Sequence, residues 1–137
     1  MSKPIALSKN RTVNYVLEDN RADEPDEQVR FQIRTLPFNV RMDIFNSLAV
    51  ETGSGDNNMR ADVGRKYRLA CKHGIAGWAH LVDADGDEIE WVGAPKKLYG
   101  VEVIDDDCLA LLPDDVIVEL GNAINELSTS GAHEVGK

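Results

Sequence analysis

Between Val29 and Val50 the spacing of apolar residues changes from two to between three and four, and the change occurs at a proline. In Val29-Arg30-Phe31-Gln32-Ile33-Arg34 apolar and polar side chains alternate, which places Val29, Phe31 and Ile33 on one face of an extended strand. From Pro37 onward, Phe38, Met42, Phe45 and Leu48 recur at helical intervals with Ile44 beside them, predicting a helix over 37–50. Pro37 suits the first turn of that helix, where its missing N–H does no harm, and Thr35 is a candidate cap. A strand followed by a helix, together with two further helices and the β-hairpin elements in the rest of the chain, makes this an α+β protein.

The remaining elements fill out a small single domain over 1–137. Residues 12–18, Thr-Val-Asn-Tyr-Val-Leu-Glu, form a second β-prone run, joined to the first by Glu18–Gln28, a solvated connection with six acids and a proline. Two glycines among polar turn formers make a loop of 51–58. A second helix is expected over 59–73 with Gly74 as its C-cap, its apolar face holding Val63, Tyr67, Ala70 and Cys71, and Arg60, Arg65, Arg68 and Lys72 gathered opposite. A last helix, 113–128, carries Val116, Leu120, Ile124 and Leu127 in register, with Asp114 and Asp115 in its dipole-favoured first turn. The reading is therefore N-terminal β-strands, about three helices and a β-hairpin, between a loose arm over 1–10 and a frayed tail over 129–137.

The stretch Gly77–Trp91, Gly-Trp-Ala-His-Leu-Val-Asp-Ala-Asp-Gly-Asp-Glu-Ile-Glu-Trp, is the hairpin. Its alternating aspartates begin as a calcium loop does, but counting from Asp83 the sixth position is Glu88 instead of glycine and the twelfth is Ala94 instead of glutamate. Asp85-Gly86 is instead the dipeptide that a two-residue type I′ turn prefers. Trp78 and Trp91, on opposite arms, are expected to share a core face, or else one of them is an exposed anchor. Asp105-Asp106-Asp107 reads as a solvated loop, because adjacent acids point in different directions and make no converging metal site.

Function classes narrow by charge and by what is missing. The formal charge of −9 repels phosphate backbones and anionic membranes, so neither nucleic acid nor membrane is an expected partner. Cys71 and Cys108 lie 37 positions apart and read as reduced, buried thiols of a cytoplasmic protein, with a single disulfide as the alternative. The N-terminus has no signal-peptide core and the chain has no apolar run long enough to span a bilayer. His73, His80 and His133 make no catalytic set, there is no nucleophile elbow and no phosphate-binding glycine fingerprint, so no enzyme and no cofactor are expected.

The order of pieces resembles a group of small proteins encoded among the head and tail genes of tailed bacteriophages. The resemblance is carried by Gly77-Trp78 before Asp85-Gly86, then by Leu112-Pro113 before an acidic-capped helix with Glu119, Leu120, Ile124 and Leu127. It covers about the last 75 residues, the N-terminal strands matching more weakly, and this chain ends without an extended acidic tail. Members of that group are described as tail assembly chaperones or as structural-region proteins of unknown role. The resemblance implies a binding protein of phage morphogenesis in the host cytoplasm, holding the tape-measure protein until tail-tube subunits polymerise around it. Phe38, Met42, Phe45, Trp78, Val116, Leu120 and Leu127 are the candidate partner-binding residues, offered as apolar helix faces and one aromatic anchor. The alternatives are a neck, connector or capsid-decoration subunit, and an acidic inhibitor that uses Glu18–Glu27 and Asp105–Asp107 as phosphate mimics. Oligomeric state is open, a homo-oligomer included.

Overall fold

The structure, a computed structural model, describes residues 11–49 and 63–129, with the side chains of Leu48 and Ala49 left aside. The expected arm, the loop over 51–58, the expected first turn of the second helix and the tail from residue 130 lie outside the described residues.

Three strands form one antiparallel sheet in the order β1 (Thr12–Val16), β2 (Arg30–Arg34), β3 (Ile75–Ala79). β2 is central because its alternation gives it a fully apolar face: Phe31 and Ile33 are 0 % and 2 % exposed. Val13 pairs with Ile33 and Tyr15 with Phe31 on one side, while Phe31 meets Trp78 on the other. A register shift at Gln32/Ile33 leaves β3 one residue longer than its partner at that point. The acidic connection contains two short 3₁₀ turns, Glu18–Asn20 and Pro25–Glu27, and buries nothing there.

The helices are α1 (Phe38–Ala49), α2 (Val63–Gly74), the four-residue α3 (Asp106–Leu109) and α4 (Asp114–Thr129). α2 lies between α1 and α4, and both α2 and α4 pack on β2, so the mixed α+β class expected from the periodicity is the one observed. Leu120, Ile124 and Leu127 of α4 meet Ala70 and Cys71 of α2, Ile75 and the apolar face of β2 in one core. Ser128 Oγ, itself bonded to Ile124 O at 2.7 Å, accepts from Leu36 N at 2.9 Å and ties the end of α4 to the start of α1. Thr129, expected to fray, is the last helical residue, with its hydroxyl donating to Asn125 O at 2.8 Å.

Several local expectations are corrected. Asp85-Gly86 is not a type I′ turn, for only Gly86 has positive φ, at 87°. Gly86 N donates to Asp83 O at 3.0 Å and Asp83 N to Asp87 O at 2.9 Å, a type I turn followed by a bulged glycine. The two-residue turn with positive φ at both centres occurs instead at Tyr99-Gly100 (52° and 79°), where Leu98 and Val101 exchange backbone hydrogen bonds at 3.0 Å. That tip closes a second hairpin, in which Ala94 N donates to Val103 O at 2.7 Å and Asp105 N to Val92 O at 2.8 Å. Gly74 ends α2 but is not a left-handed cap, since the glycines at positive φ among the described residues are Gly86 and Gly100. Because a β-branched residue is strained at the φ of Gly86, Gly86→Val is expected to lower stability by about 1–2 kcal/mol in a urea titration. An unchanged midpoint would show that the turn tolerates a different backbone.

Candidate protein-docking site

The sequence-derived partner residues separate into two groups. Leu120 is 0 % exposed and Leu127 8 %, so these two are core and not partner surface: α4 turns its main apolar stripe onto α2 and β2. Val116 and Trp78 are partly buried against that core. Trp78 stacks edge-on against Phe31 (centroids 5.9 Å, 78°) and its Nε1 donates to Ile89 O at 2.8 Å, which anchors the Asp83–Asp87 turn to the sheet. Trp91 also packs on that core, as expected for both tryptophans.

The first half of α1 behaves oppositely. Its core contacts are Val40 and Ile44, which leaves Phe38 and Phe45 61 % and 63 % exposed on the outer face, with Met42 half-buried between them. The guanidinium of Arg41 sits 5.4 Å from the centre of the Phe38 ring. Two phenyl rings facing solvent one above the other form an unsatisfied apolar stripe.

A second apolar surface was not foreseen. Where α2 and α4 diverge beside α3, a groove of about 470 Å³ opens, with a floor of Tyr67, Leu109, Leu112, Ile117 and the half-exposed Val118. Gly64 and Ala110 keep its mouth clear by having almost no side chain. Among the described residues the charged lining is Arg68 on the α2 side, and Asp106 and Asp114 on the α3 and α4 side. The volume falls within the ~300–1,000 Å³ of ordinary binding clefts. In the sequence, Ile117 and Val118 lie off the α4 stripe and Leu109 and Leu112 lie in a non-periodic stretch, so only tertiary folding collects them.

The triple aspartate is solvent-facing as expected but opens a short helix where a loop was expected. Asp105 caps α3, accepting from Asp107 N at 3.1 Å, and Asp106 receives Lys72 Nζ at 2.8 Å. The hydrogen bond and charge of Lys72 hold the Asp106 carboxyl below the usual carboxylate range. Lys72 also donates to Ile104 O at 2.7 Å, which locks the second hairpin onto α2 beside the groove. In the first turn, Asp83 Oδ1 accepts from the backbone N–H of Asp85 and of Asp87, at 2.9 and 3.0 Å. That carboxylate is engaged by its own loop.

Other titratable groups in the fold are structural. Cys71 and Cys108 are free and buried, and burial pushes the Cys71 thiol up to about 12, so it stays protonated near neutral pH. Tyr15 is raised to about 12 by burial and by the hydrogen bond it donates to Glu119 at 2.7 Å, a contact that joins β1 to α4. Burial, with Lys72 and Arg34 nearby, pulls His73 below its ordinary 6.5, and Asp43 opposes this only in part. The folded state thus binds the His73 proton less readily than the unfolded chain does. This part of the stability is complete above the unfolded pKa of about 6.5 and declines as pH falls from there through the lower folded value. The urea midpoint is expected to drop as pH falls below about 6.5, with a shallower slope in His73→Gln. Equal slopes in the two proteins would rule out His73 as the source.

Compared with family models, with curated proteins and with solved structures, the chain matches none. No described helix is long and apolar enough to cross a membrane.

Proposed function

We propose that this chain is a non-enzymatic binding protein of tailed-phage morphogenesis, a tail assembly chaperone that holds an apolar helix of the tape-measure protein until tail-tube subunits replace it. The phage setting comes from the sequence resemblance. The observation that carries the binding role is the groove between α2, α3 and α4, whose floor is apolar and whose charges are confined to the two lips. An apolar helix face laid there buries its side chains against Leu109, Leu112 and Ile117 while its polar flanks meet the lips. The α4 stripe once expected to do this is spent on the core, so the receptor is its neighbouring flank, Ile117-Val118.

Co-expression tests the reading. Tape-measure protein should stay soluble with the wild type and precipitate with Val118→Glu, which places a carboxylate over the groove at a position 41 % exposed and so leaves folding intact. Loss of one such anchor is expected to weaken the hold by about tenfold or more. Equal solubility with both proteins would remove the groove from the function. This protein at stoichiometric level in finished virions would replace the chaperone role with a structural one.

A further inference from the structure

The outer end of the second hairpin rests on one buried histidine. Residues 95–102 are exposed throughout, whereas Val103 and Ile104 at its base are 0 % exposed and Lys72 holds Ile104 O. Among the described residues, two side-chain contacts tie the outer end to the body: Tyr99 sets its ring against that of His73 (centroids 5.8 Å, 58°), and Arg34 Nη2 donates to Glu102 O. Both run through the last turn of α2, because the same guanidinium donates through Nε to His73 O at 3.0 Å. We propose that His73 is a proton-operated latch: with its imidazole neutral the hairpin tip lies closed on α2, and uptake of a proton swings the tip away while the core stays folded.

His73 is 7 % exposed, and its Nδ1 is buried without a hydrogen-bond partner among the described residues. A neutral ring bears this, since one of its nitrogens then carries no proton. An imidazolium donates from both nitrogens, so protonation adds a buried charge and an N–H that nothing beside Nδ1 accepts. The surrounding charges do not compensate. Lys72 on the same helix and Arg34 from β2 disfavour the cation, and the exposed Asp43 of α1 opposes them only in part. From the hairpin, Tyr99 offers a ring, while the charge of Glu102 acts on Arg34. The charged imidazole is relieved by reaching water, and Tyr99 is the neighbour that gives way. It stands at φ 52°, a conformation that an L side chain adopts at a cost, on a segment exposed from end to end. Moving it leaves Val103 and Ile104 in place, so the opening is local and does not need global unfolding.

Two-dimensional NMR of the full chain between about pH 7.5 and 5 tests the latch, a range in which ordinary carboxylates stay ionised. By linkage, the ratio of open to closed tip should rise by up to about tenfold per pH unit below about 6.5. The Tyr99 ring signals and the amides of 96–102 should move with the His73 ring signals in one transition, while the amides of β1 stay fixed. In His73→Gln the tip signals should not move over this range. Tyr99→Asn removes the ring and keeps the turn, because Asn-Gly is the dipeptide that a type I′ turn prefers. In that variant His73 should bind its proton about tenfold or more tightly than in the wild type, its titration midpoint moving up toward about 6.5. If His73→Gln fails to fold, the Tyr99→Asn titration decides. Tip signals unchanged down to pH 5, tip signals that move equally in His73→Gln, a Tyr99→Asn protein whose His73 titrates as in the wild type, or a transition in which β1 moves with the tip would each overturn the proposal.

Discussion

Phe31→Ala is expected to be the most damaging single change in the described fold, lowering stability by about 3–5 kcal/mol. Phe31 is fully buried at the centre of β2, and it is where the sheet is joined on both sides, by Tyr15 of β1 and Trp78 of β3. Removing the ring opens a cavity beneath α2 and α4 and also removes the surface against which Trp78 stands edge-on. Trp78 in turn holds the Asp83–Asp87 turn through Ile89, so the loss should spread into that hairpin. Urea unfolding measures the first effect, and tryptophan fluorescence of the native state should shift red as Trp78 becomes hydrated. A cost below about 1 kcal/mol would mean that the sheet does not depend on this contact.

Ile124→Ala should cost about 2–5 kcal/mol on its own, and markedly less when Gly74 is also changed to alanine. The end of α2 crosses α4 so closely that a Cβ on Gly74 would lie 2.5, 2.8 and 3.0 Å from three side-chain carbons of Ile124. Gly74→Ala alone therefore overpacks the crossing, by about 1–3 kcal/mol, more than the ~1 kcal/mol that alanine gains over glycine in helix propensity. In the double variant the new methyl occupies part of the space that Ile124 vacates. A double-mutant cycle should then return a coupling energy of about 1 kcal/mol or more in the compensating direction. Additive losses would show that the two helices part instead of repacking. The same crossing recurs at Gly121, where a Cβ would meet the Tyr67 ring at 2.6 Å, which fixes the ring that forms one side of the groove floor.

Periodicity was a sufficient guide wherever one face of an element had to be apolar. The alternation of Val29, Phe31 and Ile33 identified the buried face of β2, because no other face of that strand can cover a core; for α4 periodicity found the stripe of Leu120, Ile124 and Leu127 but not its destination, which is the core and not a partner. For α1 periodicity selected Phe38, Met42, Phe45 and Leu48 with Ile44 beside them, and passed over Val40, which together with Ile44 makes a second apolar face. Packing against α2 chose the smaller, β-branched pair for the interior and left the phenylalanines outside. Turn chemistry was similarly underdetermined. Asp-Gly and Tyr-Gly were both available, and the backbone took its type I′ turn at Tyr99-Gly100, since the side chain of Asp83 already supports a different turn at Gly86. The ion pair of Asp106 was not legible in the sequence because its partner, Lys72, lies 34 residues away in the chain. The groove was illegible for the same reason: Tyr67, Leu109 and Ile117 belong to three helices and share no spacing in sequence. The sequence by itself determined the longer strands and helices, the class of fold and the strand faces that had a single apolar option, because these follow from local periodicity; it missed α3 and the second hairpin, which have none. Which apolar side chains remain exposed, and where they form a concave surface, was decided only by the tertiary structure, through the angle and close approach at which α2 meets α4.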